Sequence, residues 1–131
     1  MSRRRIYEIP GVNHGAAPIP MAARVGNLFQ SSGISGRNPE NNELPEDGVA
    51  QVDFAFANAR TLLDVAGVGL DEVVFLEVVL EDNSLRDDIN RHWLDWYPDA
   101  QDRPARHTTV RELPGHLKMQ LRIEAWTEST K

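Results

Sequence analysis

Between Pro45 and Pro98 the sequence changes its hydrophobic period twice, and that alternation limits the chain to a fold of helices layered on a sheet. From Pro45 to Ala66 the apolar residues Val49, Val52, Phe56, Ala59, Leu63 and Ala66 advance by steps of three and four, which keeps them on one helical stripe. Gly67 follows the last turn, where a left-handed residue stops a helix. The run Val73-Val74-Phe75-Leu76-Glu77-Val78-Val79-Leu80, inside Glu72 to Asp82, is β-branched and too short for a core helix, so it reads as a strand. Its face of Val74, Leu76, Val78 and Leu80 is wholly apolar and is expected against the helices. A second helix is predicted to begin after Asn83 or Ser84, with Ser84 and Asp87 spaced as a capping box. It carries Leu85, Ile89, Trp93 and Trp96 on its stripe and ends before Pro98.

The flanks supply the rest of the sheet. Met119, Leu121, Ile123 and Ala125 alternate with Gln120, Arg122, Glu124 and Trp126, the signature of a strand with an apolar inner face and a polar outer one. Ile6 to Ile9 and Arg24 to Ser31 read as strands, and Gly33 to Pro45 as a loop. Arg106 to Glu112 is expected to form a hairpin with the last strand through Leu113-Pro114-Gly115-His116. The expected fold class is α+β, a mixed β-sheet with both helices packed on one face, in one domain spanning residues 1–131. The other face is left uncovered and partly apolar, which favours oligomerisation.

Composition narrows the chemistry. The chain has no cysteine, which excludes disulfides, thiolate metal sites and cysteine nucleophiles. Fourteen Lys plus Arg against twenty Asp plus Glu give a formal charge of −6, and nucleic-acid binding would need a basic face. The arginine triplet Arg3-Arg4-Arg5 reads as a solvated tail before a first strand, because Ile6-Tyr7-Glu8-Ile9-Pro10 follows instead of an apolar export segment. No apolar run reaches the length of a membrane span. The expectation is a soluble cytoplasmic protein that engages neither membrane nor nucleic acid.

What remains must work with His, Ser, Thr, Arg and carboxylates. Arg106, delivered to the start of a strand by Pro104, offers a planar fork for a carboxylate, although taken alone it reads as half of a surface ion pair. His107 is its neighbour, and adjacent strand residues point to opposite faces. His14, His92, His107 and His116 show no metal-ligand spacing, so no metal and no cofactor are expected. His14 and His116 fall in loops where a general base could be presented. Gln120, Arg122 and Glu124 read as the wet side of an amphipathic strand.

Pro104-Ala105-Arg106, the Leu113-Pro114 turn and Ile123-Glu124-Ala125 together resemble the C-terminal signature of the Rid family, the reactive-intermediate deaminases. Gly26-Asn27-Leu28 leading into Ser31-Ser32-Gly33, Ala66-Gly67 followed by Leu70-Asp71-Glu72-Val73-Val74, and Asp82 with Asn90 extend the resemblance over almost the whole chain. The resemblance implies a chorismate-mutase-like fold assembled as a homotrimer, with clefts between subunits. It also implies that Arg106 binds the carboxylate of a 2-imino or enamine acid, that the backbone around Ser32 and Gly33 lines the cleft, and that a glutamate on the last strand positions the attacking water. The products would be a keto acid and ammonia.

The sequence departs from that pattern at two places. Counted from Pro114, the glutamate position holds Gln120, which hydrogen-bonds water but takes no proton. Glu124 lies four residues on, roughly 13 Å along the strand, and a gapped alignment puts Arg122 at the position instead. The family's N-terminal aromatic is replaced by Met21. The expected function is an imine or enamine hydrolase acting on a small carboxylate-bearing metabolite, with Arg106 and Gln120 as catalytic residues and Arg106, Ser32, Gly33 and Met21 as substrate-binding ones. The alternative is a small-carboxylate binder that has lost its water-activating group.

Overall fold

A computed structural model describes residues 3–131, built around one six-stranded sheet. The strands are β1 (Arg4–Tyr7), β2 (Ala22–Val25), β3 (Leu28–Ser31), β4 (Val73–Leu80), β5 (Ala105–Val110) and β6 (Met119–Trp126), in the spatial order β1-β2-β3-β6-β4-β5. Helix α1 (Gly48–Ala66) precedes β4, and α2 (Arg86–Trp96) joins β4 to β5. Only the β4–β5 pair is parallel, as a helical crossover requires. The result is the expected α+β layering of a mixed sheet and two helices.

The strongest periodicities became the elements they predict. Helix α1 begins where the Asp47 carboxylate accepts from the Val49 amide at 3.2 Å, and it ends at Gly67 with φ +71°. Its stripe buries Val52, Phe56, Leu62 and Leu63 against Leu76, Leu121 and Ile123. Strand β6 alternates buried and half-buried residues from Met119 to Ala125 and holds the middle of the sheet. Two polar residues of α1 are also buried. Asn58 donates to the carbonyls of Ser35 and Arg37 at 3.1 and 2.8 Å, and Gln51 donates to those of Pro45 and His116 while accepting from the Lys118 amide. These bonds pin the 33–45 loop, and Gly36 lies so close to the Gln51 backbone that a Cβ has no room.

Five local expectations are corrected. The expected strand over Arg24 to Ser31 is two strands joined at Gly26-Asn27, with Gly26 at φ +58°, because only a residue free to adopt positive φ closes so short a hairpin. Strand β5 does not form a hairpin with β6. It pairs with β4 at the sheet edge while residues 111–118 carry the chain round the end of β4, where the Arg111 amide donates to Leu80 and the Glu81 amide to Lys118. A bulge between Val73 and Phe75 turns Val73 into the core and leaves Val74 half exposed, since an extra residue reverses the alternation. The cap before α2 is Asp82, whose carboxylate accepts from the Ser84 amide at 2.8 Å and starts a 3₁₀ turn over Asn83–Leu85. Arg4 and Arg5 belong to β1 rather than to a tail; Met1 and Ser2 lie outside the described residues.

Candidate functional site

Two clusters carry chemistry, and the sheet separates them. The first stands on β5. Arg106 pairs with Leu76, and Leu76 with Ile123, so Arg106 faces the helix side of the sheet. Its guanidinium carbon lies 5.3 Å from the centroid of the Trp93 ring on α2, within reach of a cation–π attraction. Its Nε donates to Thr108 Oγ1 at 3.3 Å, and among the described residues no carboxylate lies within ion-pair distance of it. The surface ion pair that Arg106 suggests in isolation is therefore absent. Burial, and secondarily the charge of Arg86, press its pKa below the ordinary arginine value. His107, next along the strand, is exposed on the opposite face, its Nδ1 3.4 Å from Thr109 Oγ1.

The second cluster forms where the loop after β3 meets the start of β6. Ile34 and Leu121 exchange backbone hydrogen bonds at 2.7 and 2.9 Å, which brings Gly33 beside Gln120. The Gln120 amide occupies the space that a Cβ on residue 33 would fill, so glycine is required there for this side-chain position. The Gly33 carbonyl accepts from His14 Nε2 at 2.8 Å. A carbonyl only accepts, so the proton sits on Nε2 and the lone pair on Nδ1. Nδ1 is buried and has no hydrogen-bond partner. Ser32 is fixed through its hydroxyl, which donates to the Pro20 carbonyl at 2.8 Å, and through its amide, which donates to the Met21 carbonyl. The Met21 side chain is 1% exposed and packs into the core, so what it presents to this cluster is its backbone.

Gln120 pairs with Val79 and stands three residues from the inward-facing Ile123, which places it on the face away from the helices. Its neighbours on that face are committed elsewhere, Arg122 to Glu77 at 3.5 Å and Glu124 to Gln30 at 3.1 Å. Gln120 makes no side-chain hydrogen bond within the described residues. Arg106 and Gln120 thus occupy opposite faces of one sheet. Two cavities of the chain, about 510 Å³ beside Trp96 and Arg103 and about 710 Å³ beside Glu43 and His116, are lined by neither.

His14 is the residue the sequence left undecided, because its contact with Gly33 joins positions nineteen apart across the β2–β3 hairpin and no periodicity encodes it. His92, by contrast, is structural. It bonds Asp53 at 2.7 Å and stacks on Phe56 at 4.7 Å. No group of three metal-ligating side chains occurs among the described residues, and no helix there is long and apolar enough to cross a membrane.

Comparison with known proteins identifies relatives of the whole chain. A family model described as endoribonuclease L-PSP matches residues 15–128. A RutC family protein of Aquifex aeolicus is 30% identical over 115 residues, covering 83% of this chain and 92% of that one. Among solved structures, RidA from an Antarctic Psychrobacter superposes with a TM-score of 0.82 at 26% identity, covering 94% of this chain and 99% of that one. The YjgF gene product of E. coli gives 0.80 at 21%, covering 95% and 99%.

Proposed function

The chain belongs to the endoribonuclease L-PSP family, the Rid family of the resemblance above, and from that premise we propose that it hydrolyses the C=N bond of a small 2-imino acid. One observation carries this reading. Arg106 is half buried, oriented by Trp93 and, among the described residues, free of any carboxylate, in a chain where acidic residues outnumber basic ones twenty to fourteen. A guanidinium left unpaired under those conditions is a built anchor for a carboxylate ligand.

The reaction asks little more of the protein. With the carboxylate on the Arg106 fork, water adds to the imine carbon, the nitrogen takes a proton, and the C–N bond of the resulting carbinolamine breaks to release ammonia and a 2-keto acid. Gln120 orients the water by hydrogen bonding. His14 holds the Gly33 carbonyl beside Gln120 through Nε2, and the proton that the water loses passes to the imine nitrogen. Because imines hydrolyse readily, positioning supplies most of the acceleration.

Arg106 and the His14–Gly33–Gln120 cluster cannot both reach one substrate within a chain that sets them on opposite faces. A cleft shared by two copies unites them, and a homotrimer would hold three. The open face supports such an assembly, since Ile6, Leu28 and Trp126 are 59%, 41% and 59% exposed there and Leu28 pairs with Trp126.

Ammonia release from freshly generated 2-imino acids tests the activity. The wild type should exceed the buffer rate and Arg106→Ala should fall to it; equal rates for the two proteins overturn the proposal. Gln120 in place of glutamate favours a second reading, a binder without turnover. On that reading 2-keto acids raise the Tm, the wild type releases no ammonia, and Gln120→Glu creates activity where none existed.

A further inference from the structure

Arg106 has a companion. Arg86 opens α2, and Asn90 and Trp93 follow at four and seven residues on the same helical stripe, about 10 Å in all along the axis. The helix returns antiparallel over the β4–β5 edge, so Trp93 covers Arg106 while Arg86 lies further toward the Thr108 end of the strand. The Arg106 side chain leans the same way, bonding Thr108 through Nε, and the Arg86 charge is close enough to disfavour protonation of Arg106.

Neither guanidinium is neutralised. Arg86 is held by the Asn83 side-chain carbonyl, which accepts from Nε at 3.2 Å and Nη2 at 3.0 Å, and it makes no ion pair among the described residues. Arg60, Arg91 and Arg122 do form ion pairs. Between the two cations the half-buried Asn90 side chain makes no hydrogen bond within the described residues. Two oriented guanidiniums on the helix side of the same sheet edge repel each other. A single carboxylate compensates one of them and leaves the other unsatisfied, whereas two carboxylates on one molecule satisfy both forks.

We propose that Arg86 and Arg106 form a two-arginine cradle that selects a dicarboxylic substrate, with Arg106 holding the carboxylate beside the imine carbon and Arg86 the distal one. The assignment rests on Arg106 as the carboxylate anchor, and its test therefore reads binding separately from turnover.

Calorimetric titration of the full chain compares 2-oxoglutarate and oxaloacetate with pyruvate and 2-oxobutyrate. The dicarboxylates should bind about tenfold more tightly or better, the gain of one charge-assisted contact. Arg86→Gln should erase that advantage while leaving the monocarboxylates within about twofold, Arg86→Lys should keep part of it, and Arg106→Ala should weaken all four. The same ratio should appear in ammonia release from 2-iminoglutarate against 2-iminopropanoate. A preference unchanged in Arg86→Gln overturns the cradle. So does a wild type without preference whose binding still collapses in Arg106→Ala, a result that keeps the anchor and removes only the role of Arg86. Binding of none of the four acids overturns both.

Discussion

On the proposed function, Arg106 is a side chain prepared for a carboxylate at some cost to itself. Burial and the facing Arg86 both work against its charge, while Trp93 contributes a cation–π contact of order 1 kcal/mol at a partly exposed site. The strand's alternation made the facing of Arg106 opposite to His107 readable from sequence. That the surface it faces is an indole, with no acid in reach, was not, because Trp93 and Arg106 come together only through the crossover. Gly33 makes a sharper prediction at this scale. The three atoms nearest a methyl group there all belong to the flexible Gln120 side chain, so Gly33→Ala should displace the amide without breaking the fold. Turnover should fall at least about tenfold from lost positioning while the Tm stays close to that of the wild type. A large drop in Tm, or unchanged turnover, would contradict the placement of Gln120 in the site.

At the level of elements, the two helices are tied by charge as well as by packing. Asp53 on α1 accepts from His92 at 2.7 Å and from Arg91 at 3.0 Å on α2. The hydrogen bond from His92, ahead of Arg91, holds its carboxyl below the usual carboxylate range. A lowered folded-state pKa contributes stability that is present above the ordinary value, about 4, and is lost as pH falls through the lowered one. For a pair this exposed the contribution is no more than about 1 kcal/mol. Urea midpoints of wild type and Asp53→Asn should therefore differ near neutral pH and converge on acidification; a difference independent of pH would show that the carboxylate charge is not what matters.

The same elements show what the sequence could and could not disclose. Helices α1 and α2 and strand β6 announce themselves because one buried face repeats along a continuous segment. The β2–β3 hairpin hid because the inward positions shift from Ala22 and Arg24 to Phe29 and Ser31 across Gly26-Asn27, a change of phase that two inward residues on each side are too few to announce. The partner of β5 hid because strand order is fixed by contacts between segments far apart. Of the candidate site, Gln120, Ser32 and Gly33 were named and do adjoin in space, whereas His14 joins them through a contact that no local pattern encodes.

For the whole molecule, the decisive fact is that the sheet divides the chemistry. Arg106 lies under α2 and Gln120 with His14 on the far side, and the far face exposes Trp126 beside Leu28. On the proposed function, one chain of 131 residues presents two halves of a site, and a second copy joins them. Mixing two inactive variants measures this directly. Arg106→Ala and Gln120→Ala, each devoid of imine hydrolysis alone, are unfolded together at equal concentration and refolded. If each cleft takes Arg106 from one copy and Gln120 from the next, about a quarter of the clefts receive two intact halves, and ammonia release should return to about a quarter of the wild-type rate. Mixed protein that remains as inactive as its two parents would contradict a site shared between copies.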